Sequence, residues 1–212
     1  MSDLRFDEIE NVLASLDLLA TLAPLVKRRR SRSHWKWIII GAHDALQGAL
    51  VCAIADTTGT NVLSRKSAKK MLDWLEDTSK EYPGEYMAGF ETLLKRAAIT
   101  LPPGDAKDIK TLHGLRNDFA HFTPKGWSIE LAGLPRIIDA ALRLVEQLMQ
   151  SDQVSTRMTG NKKRRARGNI EAARAAMGIR NINHRNSQRT ARAVAPSQSV
   201  QNSLNRSGAN SV

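Results

Sequence analysis

The residues with the most chemical content stand together in one segment, LHGLRNDFAHF, residues 112–122. Arg116 carries a charge that does not titrate in proteins and offers oxyanions a planar fork of donors. His121 supplies an imidazole, a group that in water titrates near about 6.5 and can give or take a proton near neutrality. Asn117 adds an amide able to orient an oxyanion or the His121 ring. On a helix advancing about 100° per residue, His113, Asn117 and His121 fall at i, i+4 and i+8 along one polar side. Ile109, Leu112, Leu115, Phe119 and Phe122 form an apolar stripe on the opposite side. Arg116 sits at the edge of that stripe, about 140° around the axis from His121. A fixed cation near a proton-transfer group suits charge stabilisation joined to general acid–base catalysis. Plainer roles exist for the same residues. Arg116 can pair with Asp118 or Asp108, and His121 can be a C-terminal histidine favoured by the helix dipole.

A second polar cluster, His43, Asp44 and Gln47, interrupts the apolar run WIIIGAHDALQGALVCAIA. Polar side chains in such a helix need hydrogen-bond partners or a cleft. They are therefore read either as a wall of the same site, together with His113, or as a buried network between helices. The single cysteine, Cys52, excludes an intrachain disulfide and a Cys-pair zinc site, and reads as a small core hydrophobe. No Gly-rich phosphate loop, Walker motif or acidic metal cluster is present in the sequence, so no metal and no cofactor are expected.

The elements that must position these residues read as helices throughout. Apolar residues at helical spacing predict helices over residues 4–23, 34–56, 67–79, 85–99, 106–122 and 134–150. Ser2 or Asp3, Ser33 and Asp105 are candidate N-caps. In the third helix Met71, Leu72, Trp74 and Leu75 are expected to face inward. Pro24, Tyr82-Pro83-Gly84, Pro102-Pro103-Gly104 and Pro124 punctuate the chain. The polar residues near the centre of 34–56 argue against a membrane span and for the central helix of a bundle. Gly41 and Gly48 are placed to let a neighbouring helix come close. The longest alternating stretch is residues 127–131, so the fold class is all-α, a bundle of about five to six helices.

Charge divides the 212 residues in two. Residues 1–151 hold 20 Lys+Arg and 19 Asp+Glu, net +1, whereas residues 152–212 hold 12 and 2, net +10. All aromatic residues lie before 152. A segment without aromatics and with high net charge buries too little apolar surface to offset its ordering entropy. Residues 1–151 are therefore expected to fold, and 152–212 to be a largely disordered basic tail, with a short helix over 170–178. Within it Lys162, Lys163, Arg164, Arg165 and Arg167 form a run suited to nucleic-acid phosphates, or to solvation alone. The opening MSDLRFDEIE is acidic and lacks the apolar core of a signal peptide, so the expected compartment is the cytoplasm.

The stretch Arg116-Asn117-Asp118-Phe119-Ala120-His121 resembles the R-x4-6-H motif of HEPN domains, in which the residue after the arginine is commonly polar. A second R-x4-H, from Arg29 to His34, lies in a basic connector. Only Arg116–His121 sits late in an amphipathic helix with an amide at the next position. The segment HWKWIIIGAHDALQGALVCA is also similar to the long second helix of some prokaryotic HEPN proteins. The resemblance spans roughly residues 5–150. It implies a small helical bundle that forms a homodimer, with the motifs of both protomers lining one cleft. It further implies a metal-independent endoribonuclease, acting in a toxin–antitoxin or phage-defence role. There Arg116 would hold the phosphate, His121 would move the proton, and the adjacent 2′-hydroxyl would attack to leave a 2′,3′-cyclic phosphate. Such a route leaves DNA uncut. In family members silenced by a nucleotidyltransferase antitoxin, a tyrosine follows the motif by two positions. Thr123 stands there, so a cognate antitoxin, if one exists, would act differently. The expected partners are RNA, a second copy of the chain and such an antitoxin, with no membrane. A different class also fits: a non-catalytic helical module that binds nucleic acid or a protein, anchored by the basic tail. A third reading is a degenerate subunit that regulates an enzymatic neighbour.

Overall fold

The computed structural model describes residues 3, 6–27, 33–121 and 126–179. Among these the chain forms α1 (Glu8–Leu22), α2 (His34–Ile54), α3 (Arg65–Glu76), α4 (Phe90–Arg96), α5 (Pro103–Ala120), α6 (Leu134–Gln150), α7 (Asp152–Ser155) and α8 (Gly160–Met177). The described residues contain no strand, only an isolated antiparallel bridge between Leu63 and Met87. The all-α class expected from periodicity is what the chain adopts, with more helices than the five or six anticipated.

The core is organised around α2, which packs against α1, α5 and α6. Ile38, Ile39, Leu46 and Leu50 of α2 are fully enclosed, as are Leu13, Leu16 and Leu19 of α1 and Ile138 of α6. Each such side chain stabilises the fold by roughly 1.5–3 kcal/mol relative to exposure. The α1–α2 contact is close because Gly48 has no side chain. A Cβ there would stand 2.8 Å from Val12 Cγ2, and one at Gly41 would stand 3.3 Å from Leu18 Cδ2. Two segments, Glu8–Val26 and His34–Ile54, are long and apolar enough to cross a membrane by length and composition. In α2 that apolarity is used inside the fold, where 61% of the window is buried.

Capping explains several boundaries. Asp7, not Ser2 or Asp3, starts α1, because its carboxylate accepts from the Glu10 N–H at 2.7 Å. Phe6 consequently precedes the helix and is exposed. Ser33 precedes α2 with helical dihedrals and makes no side-chain cap bond. α5 begins at Pro103, where a proline's missing N–H costs nothing. Asp105 therefore lies inside the helix and pairs with Arg143 at 2.8 Å instead of capping. The helix expected over 85–99 is cut to Phe90–Arg96, since its first residues pair with the 62–64 segment. Ser64 N–H donates to Tyr86 O at 2.7 Å, and Ala88 N–H to Val62 O at 2.9 Å. In α3 only Met71 of the expected inward set is buried. Leu72 and Leu75 face solvent, because α3 lies on the periphery and has little to pack against.

The boundary expected at residue 151 is corrected. Residues 152–179 fold with the body. α8 would be marginal alone in water, but it lies against α1 and α6. Ala166, Ile170 and Ala173 are buried. Thr159 caps its start by accepting from Lys162 N–H, and Gly178, at φ 76°, closes its end. The expected helix over 170–178 is the last part of this longer one. The remaining tail, 180–212, lies outside the described residues.

Candidate functional site

α5 presents its polar edge to α2 and to the start of α4. His43 of α2, only 1% exposed, places Nε2 at 2.9 Å from His113 Nδ1. Phe90 lies against both imidazoles, with ring centroids 4.6 Å from His43 and 4.7 Å from His113. On the outer side, His113 Nε2 is 3.2 Å from Asn117 Nδ2, and Arg116 Nη1 donates to Asn117 Oδ1 at 3.3 Å. Four side chains from two helices thus form one unbranched row.

Elementary donor counting fixes the direction of that row. Arginine only donates, so the amide of Asn117 must turn its oxygen to Arg116 and its NH₂ to His113. His113 Nε2 must then accept, so its proton sits on Nδ1 and is given to His43 Nε2. His43 in turn keeps its proton on Nδ1. That nitrogen is buried with no hydrogen-bond partner. The Asp44 carboxylate stands 3.7 Å away, too far to bond but close enough to attract the N–H. An unmatched buried donor of this kind costs about 1–3 kcal/mol. The His113 pKa lies below its ordinary value. Burial is the main cause, assisted by His43 and Arg116 and opposed by Glu91.

The structure therefore brings together Arg116, Asn117, His113 and His43. His121 is the exposed C-cap residue of α5, its N–H bonded to Asn117 O at 2.8 Å. It takes no place in the row. Asp118 is exposed, and Asp108 is held by Arg136, so Arg116 is not engaged by Asp108. The cluster His43–Asp44–Gln47 divides. His43 turns to α5, while Asp44 and Gln47 line a cleft of about 230 Å³ beside Asn11 and Glu8 of α1. Asp44 borders both places. Cys52 is buried, and burial pushes its thiol up to about 12, so it supplies no nucleophile near neutral pH.

The basic run of α8 is split by its helix. Lys162 pairs with Glu10 at 3.0 Å and Asp7 at 3.5 Å. Arg165 pairs with Glu10 at 3.0 Å and with Asp17. Those two are committed to α1. Lys163, Arg164 and Arg167 are exposed. The carboxylates of Glu10 and Asp17 are held below their ordinary range, chiefly by hydrogen bonds from Lys162 and Arg165 respectively.

Sequence reasoning missed two features. One is Phe90, which touches both imidazoles. The other is a cluster at the far end of α5, where Phe119 meets Trp127 with centroids 4.8 Å apart. Lys36 Nζ lies 5.3 Å from the Trp37 ring and 6.0 Å from the Phe119 ring. Trp37 itself is 51% exposed. Cation-and-aromatic composition was visible in the sequence, but the pairing of residues 36 and 119 was not. Among the described residues no group of three or more His, Cys, Asp or Glu is arranged to hold a metal ion. No family model matches the chain, and neither a curated protein nor a solved structure matches it.

Proposed function

We propose that this protein is a metal-independent endoribonuclease of the HEPN type, working as a homodimer in a toxin–antitoxin or phage-defence setting. Arg116 holds the scissile phosphate and stabilises the charge that builds on it. His121 exchanges the proton of the attacking 2′-hydroxyl or of the leaving oxygen, and Asn117 orients Arg116. The observation that carries this reading is the last turn of α5. There Arg116 is half-buried and braced by Asn117, while the His121 imidazole stands exposed at the helix end. Within one chain the two are set apart, because α5 ends at Ala120 and His121 stands beyond its last turn. That spread favours a cleft shared by two copies, in which each Arg116 meets the partner copy's His121. Trp37 and the Phe119–Trp127 pair give unstacked bases rings on which to lie.

The test is cleavage of total RNA and matched DNA in excess EDTA by wild type, Arg116→Ala and His121→Ala. The expected result is RNA cutting by wild type alone, with DNA untouched. Wild-type rates in both variants would sink the site assignment. A second reading, a non-catalytic nucleic-acid-binding module, draws support from Lys163, Arg164 and Arg167, which face solvent on α8. It predicts RNA binding without cleavage, weakening linearly in log–log terms with salt and surviving loss of Arg116 and His121.

A further inference from the structure

We infer that His43 and His113 are positioning residues: a two-imidazole relay with one fixed proton direction that holds the Asn117 amide and, through it, the Arg116 guanidinium. This rests on the nuclease reading only for what Arg116 is held for. The relay itself follows from the arrangement of donors.

Each link in the row has a single compatible state. A Asn117 amide turned the other way would set its NH₂ against an arginine that can only donate. An Nε2–H proton on His113 would meet the Asn117 NH₂, and donors would again face each other. A His43 proton on Nε2 would do the same against His113 Nδ1–H. The chain of choices therefore runs from Arg116 inward to His43 without a branch. Phe90, packed on both rings, removes the freedom to tilt out of that line. His43 is the anchor. It is buried, it accepts, and it leaves its own Nδ1–H unmatched except for the pull of Asp44. A side chain chosen only for packing at this core position would have no such unmatched donor.

A consequence for pH follows. Protonating His113 puts a hydrogen on Nε2, which then opposes the Asn117 NH₂ and unseats the amide from Arg116. The charged and titratable groups facing His113 are His43 on α2, Glu91 on α4 and Arg116 on α5, while Asp44 lies behind His43. His43 and Arg116 oppose that proton, Glu91 favours it, and burial opposes it most. The relay is thus intact at neutral pH and is lost as pH falls through the lowered titration of His113.

The experiment uses the full chain. Long-range ¹⁵N–¹H correlation spectra report the tautomer of each histidine, and the Asn117 side-chain amide reports its seating. Expected at pH 7.5 are Nδ1–H tautomers on both His43 and His113. Acidification should protonate His113 below its ordinary value, with the Asn117 amide shifting over the same range. His43→Leu removes the acceptor and the orphan donor together, so it should not unfold the chain. In that variant the His113 Nδ1–H loses its acceptor, so His113 should no longer hold a single Nδ1–H tautomer and the Asn117 amide should shift. The turnover number on a single-stranded RNA should fall about tenfold with KM little changed, as expected for a misplaced catalytic group. His43→Gln, which restores an acceptor near the Nε2 position, should recover most of the loss. An Nε2–H tautomer on either wild-type ring, or an Asn117 amide indifferent to His43→Leu, overturns the relay even if wild type cuts RNA. Both Nδ1–H tautomers in a wild type that cuts nothing support the relay and overturn the nuclease reading instead.

Discussion

Two of the polar seams among the described residues are built on opposite plans. Between α2 and α5 the seam is a single file of uncharged or donor-fixed groups, mostly shielded from water, in which each bond dictates the next. Between α1 and α8 it is a mesh of charges. Lys162 reaches two carboxylates, Arg165 reaches two, and Asp17 also takes Asn169. The file has no redundancy, so one wrong proton disorders all of it. The mesh has much redundancy and little energy per link, because exposed ion pairs contribute only about 0.2–1 kcal/mol each and are screened by salt. The lesson is that a file is suited to holding one group in one orientation, and a mesh to attaching a helix.

The largest effect expected is on the file's outer end. Arg116→Ala should lower RNA cleavage by about 10²–10³, the range for loss of one preorganised charge donor, as read by initial rates in EDTA. For stability the largest effect is expected at the buried cation that ties α8 to α6. Arg174 is 7% exposed and bridges Asp139 and Glu146 at 2.8 Å each. Arg174→Ala should destabilise the fold by roughly 2–3 kcal/mol, below the 3–5 typical of a fully buried pair because both carboxylates retain water. Thermal unfolding measures it. The double variant Lys162→Ala, Arg165→Ala should lower the unfolding temperature far less than Arg174→Ala at low salt, and not at all at molar salt. If it costs as much as Arg174→Ala, the mesh is not redundant and the contrast fails.

Acid separates the two seams by pH. Glu10 and Asp17 have folded pKa values below their ordinary ones. Their contribution is full above the unfolded carboxylate range and disappears as pH falls through the lowered folded values. His113 is also lowered, but its reference lies near 6.5. Its contribution is full above that and declines as pH falls from about 6.5 toward the folded value. Hydrogen exchange should therefore show loosening around α5 at a pH where α8 amides are still protected. The reverse order would contradict the assignment of causes.

What was legible in the sequence depended on how local the deciding forces were. α6 begins and ends where its periodicity and flanking glycine place it, and α2 starts at His34 as read. The polar side of α5 was visible as i, i+4 spacing. Its partner was not, because His43 and His113 are 70 residues apart and meet only when α2 and α5 pack. His121 looked equivalent to His113 on a helical wheel. The helix stops before it, and that places it at an open end rather than in the row. The fold of residues 152–179 was hidden for the same reason. Its apolar stripe is small, just Ala166, Ile170 and Ala173 among flanking charges, and its stabilising partners are acids at the other end of the chain. Charge density there points to disorder because the sequence does not display the matching acids of α1 beside it. Leu72 and Leu75 mark the opposite error, where helical periodicity was real but no neighbour came to cover it.

The seam between α1 and α8 also orders events in time. Arg165 meets an acid 148 residues upstream, so a ribosome must add that length before the match exists. At roughly 5–20 residues per second that delay is on the order of 7–30 s. For most of it α1 and α2 are both available to pack, and the acidic stripe of α1 stays unmatched. The nascent chain thus carries a negative face until α8 has been made and has packed against it.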